Sequence, residues 1–163
     1  MTLEIEKKRV VDEIIAKLET ELAHIEKAAL AAREAATHEE SKPEDSHDTR
    51  GLEASYLAGA QMARATELKN IIASYKFMPL RNFTEDDHID AGALVELDYN
   101  QKKSFYFLVP QGGGVTVQVD QKNIQVITPK SPLGDALLGR WVGDIIEVEG
   151  QNITREYEIT QIG

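Results

Sequence analysis

Apolar or small residues recur at Val11, Ile15, Leu18, Leu22, Ile25, Ala29, Ala32 and Ala36, in steps of 4, 3, 4, 3, 4, 3 and 4. This unbroken heptad seam predicts a helix built to pack along another helix. Charged residues such as Asp12, Glu13, Lys17, Glu21, Lys27 and Arg33 fall between the seam positions and suit wet faces. The seam narrows as it runs, from Ile and Leu to Ala. Pro43 and the polar residues around it stop the pattern. A second helical pattern starts near Gly51 and passes through Ala54, Ala58, Gln61, Ala65, Leu68, Ile72 and Tyr75. Here the small residues come first. The two gradients match only when the helices run in opposite directions, Ala against Ala at the bend and Leu and Ile at the base. Residues 9–77 therefore read as an antiparallel helical hairpin. Arms of about 26 residues would reach about 40 Å. The connection, about 13 residues long, exceeds the usual 2–8 for helices in bundles.

After Pro79 the pattern changes to short runs rich in β-branched and aromatic residues: ALVELDY, SFYFLVP, VTVQVD, IQVIT, IIEVEG and REYEITQI. Turn residues separate them. One helix interrupts the strands in SPLGDALLG, with Ser131 as N-cap, Pro132 in the first turn and Gly139 beyond the end. The fold class is α+β: an N-terminal antiparallel coiled-coil hairpin, then a small antiparallel sheet domain with one short helix. The expected domains are residues 1–78 and 79–163.

The 163 residues include no cysteine, which excludes disulfides and thiolate metal sites. No run approaches the ~18 apolar residues of a membrane span, and the N-terminus has no continuous apolar segment of a leader. The expectation is a cytoplasmic protein with no membrane partner. The net charge of −10 argues against broad binding to nucleic-acid phosphates. Its distribution says more. Residues 1–77 hold fifteen acidic and eleven basic residues; six and two of these lie in 38–53, which leaves nine of each elsewhere. The excess negative charge of that half sits at the bend.

Candidates for chemistry follow from these placements. Gly112, Gly113 and Gly114 lack the Gly-Lys-Ser/Thr ending of a phosphate loop and precede a strand, so they read as a hairpin turn. His24, His38, His47 and His88 show no metal-binding spacing. Trp141 reads as core or as a partial surface anchor. The acidic bend is the strongest candidate. Glu44, Asp45, Asp48 and Glu53 are hard oxygen donors suited to Mg²⁺, and a long neutral stalk with one seam buries little, so it serves to present its tip.

The hairpin with an acidic tip, followed by SPLGDALLGRWVGDIIEVE, resembles the Gre family of bacterial transcript-cleavage factors. The matching positions are Ser131, Pro132, Leu137, Leu138, Gly139, Val142, Gly143 and Asp144, and EASYLAGAQ (Glu53 to Gln61) is similar to the run that follows the family's tip. The resemblance implies an FKBP-like C-terminal domain that docks on RNA polymerase near Ser131, Pro132, Leu133, Gly134 and Asp135. It implies a monomeric accessory factor, not an enzyme, whose hairpin enters the polymerase secondary channel. Tip carboxylates, Asp48 and Glu53 first and then Asp45 and Glu44, would share Mg²⁺ with the polymerase while it cleaves backtracked RNA. Nascent RNA and DNA would be met only through the polymerase; no metal or cofactor would stay bound to the isolated protein. One departure bears on this. The family's tip pairs an Asp with a Glu three positions later, and three positions after Asp48 stands Gly51. Three alternatives stand open: Asp48 acts with Glu53, Asp45 acts with Asp48, or cleavage is lost and the chain modulates transcription by occupying the channel. Two other readings are a prolyl isomerase, which needs Phe105, Tyr106 and Phe107 to converge, and a plain coiled-coil tether.

Overall fold

A computed structural model describes residues 3–37 and 50–163; the side chains of residues 36, 37 and 50 lie outside the description. The chain divides into two compact units, one of Met1–Ile14 with Phe77–Gly163 and one of Ile15–Lys76. The sequence reading placed the first fourteen residues with the hairpin; the structure groups them with the C-terminal half.

Two helices make the hairpin, α1 (Lys7–Thr37) and α2 (Arg50–Phe77). At 31 and 28 residues they measure about 46 and 42 Å. Within the hairpin unit the expected seam is the buried stripe. Leu18, Ala29, Ala32, Ala65, Leu68, Ile72 and Tyr75 are buried, and Leu22, Ile25, Ala54, Ala58 and Gln61 are half-buried. Ion pairs fix the direction: Lys76 meets Glu19 at 3.5 Å, and Lys69 meets Glu26 at 3.1 Å. Advancing along α1 means retreating along α2, so the helices are antiparallel.

The globular unit is built on a six-stranded sheet in the order β3-β4-β2-β1-β6-β5. Its strands are β1 (Leu94–Tyr99), β2 (Lys102–Leu108), β3 (Thr116–Val119), β4 (Lys122–Ile127), β5 (Ile145–Glu149) and β6 (Thr154–Ile162). Two connections are two-residue turns with positive φ at both central residues, Asn100 and Gln101 (51° and 66°) and Asp120 and Gln121 (51° and 64°). That geometry matches the right-handed twist of the strands it joins.

The sheet is antiparallel except between β2 and β4, which run parallel with Phe105 opposite Ile124. The glycine run explains the exception and corrects the hairpin reading of it. β3 is not a neighbour of β2. The chain leaves β2, passes over one strand position and returns through the β3–β4 hairpin, so β4 fills the skipped place. Gly113 makes this crossing close: a Cβ there would stand 3.0 Å from Thr128 Cγ2.

The third helix, α3 (Pro132–Leu137), lies on one face of the sheet. Leu137 is buried with Val95, Leu97, Leu108, Ile127, Ile146, Ile159 and Ile162, together with Phe83 and Ile89. On the opposite face Leu94, Phe107, Val117, Val119, Ile124 and Val126 are also buried. The N-terminal segment joins this unit by directional contacts. The Leu3 N–H donates to the Ile162 carbonyl at 2.8 Å, and Arg9 pairs with Asp120 at 2.7 Å. Lys7 is only 4% exposed. Its ammonium donates to the carbonyls of Arg81 and Gly92 and stands 4.5 Å from the centroid of the Phe83 ring. Burial, helped by the neighbouring Arg81 charge, lowers its pKa from 10.5 to about 8.

Candidate functional site

The seam ends in small residues on the side of the acidic bend. Ala29 and Ala32 on α1 and Ala65 on α2 are buried although each offers only a methyl group. Burial of such short side chains requires close helix backbones at these positions. The second helix starts at Arg50 and carries Glu53 in its first turn. A carboxylate there interacts favourably with the positive end of the helix dipole. Glu53 is exposed. Glu44, Asp45 and Asp48 lie outside the described residues, as do His38 and His47. Among the described residues no group of three or more His, Asp or Glu side chains could hold a metal ion. A cation at Glu53 therefore needs ligands from elsewhere.

The second candidate region, Ser131 to Asp135, sorts into two roles. Ser131 caps α3: its Oγ accepts from the Gly134 N–H at 3.1 Å and donates to the Thr128 carbonyl at 2.8 Å. Gly134 is buried against the chain at Thr128, where an added Cβ would stand 2.0 Å from the carbonyl oxygen. Leu133 packs on the core. These three build the helix and its seat. Pro132 and Asp135 are exposed.

Past the helix, Gly139 adopts φ 78° as expected of the residue after a helix end. Its N–H donates to the Ile89 carbonyl, and the Ile89 N–H donates to the Arg140 carbonyl. That exchange brings His88 beside Trp141, with ring centroids 5.7 Å apart. Trp141 is 46% exposed and Leu138 43%, so Trp141 lies at the surface and not in the core. The sequence reading named Leu138 only as a position of the Gre-like motif; the structure adds that its side chain is exposed. Phe105 and Phe107 alternate with Tyr106 along β2 and face opposite sides of the sheet. They do not line one aromatic pocket.

Comparison with known proteins gives the class first. Residues 84–163 match the family description "Transcription elongation factor, GreA/GreB, C-term", and the chain resembles the Gre family. Among individual relatives, the transcription elongation factor GreA of Mesorhizobium japonicum is 32% identical over 102 residues, 61% of this chain and 60% of that protein. The chain thus spans about 60% of the length of that relative. GreA of Rickettsia canadensis is 26% identical over 153 residues, 90% of this chain and 88% of that protein. Among solved structures, the GreA factor homolog 1 (Gfh1) of Thermus thermophilus aligns with a TM-score of 0.36 at 20% identity, over 91% of this chain and 94% of that one. Gfh1 of Thermus aquaticus aligns with a TM-score of 0.39 at 21% identity, over 93% and 92%.

Proposed function

We propose that this chain is a Gre-like accessory factor that binds bacterial RNA polymerase, enters its secondary channel with the hairpin and acts there through the acidic bend. One observation carries the reading: a helical hairpin that tapers to alanine at a carboxylate-rich bend, in a chain whose C-terminal 80 residues (84–163) match the GreA/GreB domain. The exposed Pro132 and Asp135, with the exposed Leu138 and Trp141 that follow them in sequence, support docking of the globular unit through this segment.

The chain's part in cleavage is to supply and orient oxygen donors. Asp48 and Glu53 would hold Mg²⁺ jointly with the polymerase, and Asp45 and Glu44 would add negative charge that attracts the ion. These carboxylates would hold an ion whose chemistry, when bound, would be to lower the pKa of a water and to stabilise the leaving oxygen of a phosphodiester. Glu53 at the start of α2 is held on a regular helix, so its position follows that of the hairpin.

The wider spacing favours a second reading. Gly51 stands three residues after Asp48, and the next acid is Glu53. A pair set further apart suits channel occupancy without cleavage, in which the tip alters pausing or substrate entry.

The two readings separate on stalled elongation complexes with Mg²⁺. Cleavage predicts short 3′ RNA fragments that Asp48→Asn reduces at least tenfold while binding to core polymerase persists. Occupancy predicts changed transcript output with no fragments. Failure to bind core polymerase in a pull-down overturns both.

A further inference from the structure

The two faces of the sheet carry opposite chemistry. Directly paired residues of neighbouring strands share a face. The pairs Tyr99–Lys102, Val95–Tyr106, Val148–Arg155 and Ile146–Tyr157 therefore place all these side chains on the face that bears α3. No strand contributes a carboxylate to that face. Glu96, Asp98, Glu147, Glu149, Glu156 and Glu158 all fall on the other one. There Glu147 lies directly opposite Glu156, and Asp98 opposite Glu158. Like charges in direct register are unfavourable, yet the strands accept them and send no acid to the helix-bearing face, where α3 itself brings the exposed Asp135.

The helix covers only part of its face. Beyond it Tyr99 and Tyr106 are half-buried and Arg155 is exposed. The Arg155 guanidinium stacks 5.6 Å from the centroid of the Tyr99 ring, and the Tyr99 and Tyr157 rings lie 5.4 Å apart. We propose that this uncovered part, centred on Arg155 with Tyr99 and Tyr106 and backed by the buried Tyr157, is a docking surface for an acidic segment of a partner protein. Such a segment presents carboxylates to a planar fork of N–H donors, the geometry arginine recognises in two-point fashion. Phenol hydroxyls beside the guanidinium can donate to the same carboxylate. Stacking on Tyr99 orients the fork before binding, which lowers the ordering cost. Tyr157 and then Tyr99 and Tyr106 also raise the Arg155 pKa, consistent with their oxygens gathering around the charge. Tyrosine and arginine are the residue types that dominate binding energy at protein interfaces.

Charge complementarity selects the occupant. In a chain of net charge −10, an acidic segment is repelled by the far face and received by this one. A nucleic acid fits less well, because the strands bring only Lys102 and Arg155 to the face as cations, and phosphate binding needs more. If Arg155 served only as a lid over the tyrosines, an acidic ligand would not seek it.

The test uses the full chain and a ten-residue peptide rich in Asp and Glu around a central Leu. Its Asn/Gln isostere and a ten-nucleotide oligouridine serve as comparators. The acidic peptide is expected to shift the Arg155 Nε–H and Tyr99 ring resonances saturably, with affinity falling as salt is raised. Arg155→Gln should weaken binding at least tenfold at unchanged Tm, and Tyr99→Phe about threefold. Equal binding of the isostere, tighter binding of the oligonucleotide at these resonances, or an Arg155→Gln protein with full affinity overturns the proposal. Should Arg155→Gln fail to fold, the resonance map of the unaltered chain decides: no peptide-dependent shift at Arg155 rejects it.

Discussion

The hairpin and the globular unit hide apolar side chains on different plans. In residues 15–76 the described burial forms one stripe, and its members shrink from Leu68 and Ile72 to Ala29, Ala32 and Ala65. In the globular unit both faces of a sheet bury large apolar side chains, with Leu97, Leu108, Ile159 and Ile162 on one and Phe107, Ile124 and Val126 on the other. A methyl-lined seam removes little surface from water, at ~25 cal/mol per Å². Local stability should therefore fall along the hairpin toward the bend, while the sheet opens only with global unfolding. An element so thinly stabilised at one end is poorly suited to being a core and well suited to being an arm. Its first turns are secured elsewhere: α1 begins inside the globular unit, where Lys7 and Arg9 hold it to Gly92 and Asp120.

The sharpest way to break the sheet side of this contrast is Gly134→Ala. The new methyl would stand 2.0 Å from the Thr128 carbonyl oxygen, which can move only with its backbone, so a loss of about 3 kcal/mol or more is expected in urea unfolding. A loss under about 1 kcal/mol would mean that α3 can lift from its seat. Next come paired cavity mutants. Leu97→Ala should cost about 4 kcal/mol and lower global stability, because its surroundings are packed on all sides. Leu68→Ala, equally buried, should cost about 2–3 kcal/mol and speed amide exchange in the hairpin only. Equal exchange profiles for the two variants would erase the distinction between the units.

Lys7 gives a prediction with a sign. Its folded pKa, about 8, lies below the ordinary 10.5. Between those values the unfolded chain binds more protons, so stability from this group rises with pH across that window. Below about 8 both states hold the proton and the penalty is complete. Lys7→Met should flatten this rise in thermal melts between pH 8 and 10.5, at some cost from leaving the Arg81 and Gly92 carbonyls without their donor. An unchanged rise in the variant would assign it to another group. The smallest effect belongs to the exposed pairs across the hairpin. Arg64 reaches Glu21 at 3.2 Å and Glu67 at 3.0 Å, and a double-mutant cycle on Arg64 and Glu21 should give less than about 1 kcal/mol.

Periodicity carried most of the architecture. Each seam position from Val11 to Ala32 and from Ala54 to Tyr75 is buried or half-buried, because steps of 3 and 4 mark a helix face without help from the rest of the chain. The six strands and the Ser131 cap were legible for the same local reason. Strand order was not. A period of two reveals a strand but not its neighbour, so the Gly112–Gly114 crossing and the parallel β2–β4 pair came only with the structure. Lys7 was hidden by its type: a lysine at a helix start reads as surface, and only long-range packing with Phe83 buries it. At the site, sequence located the carboxylates, while the structure adds the place of Glu53 on α2 and separates the exposed Pro132 and Asp135 from the structural Ser131, Leu133 and Gly134.

The claim on which the function rests is that the bend reaches the polymerase metal site. Replacing the active-site Mg²⁺ of an elongation complex with Fe²⁺ generates hydroxyl radicals there and cuts nearby polypeptide. Cuts in this chain confined to residues 44–53 are predicted; cuts confined to the globular unit, or none on a demonstrably bound protein, would contradict the account.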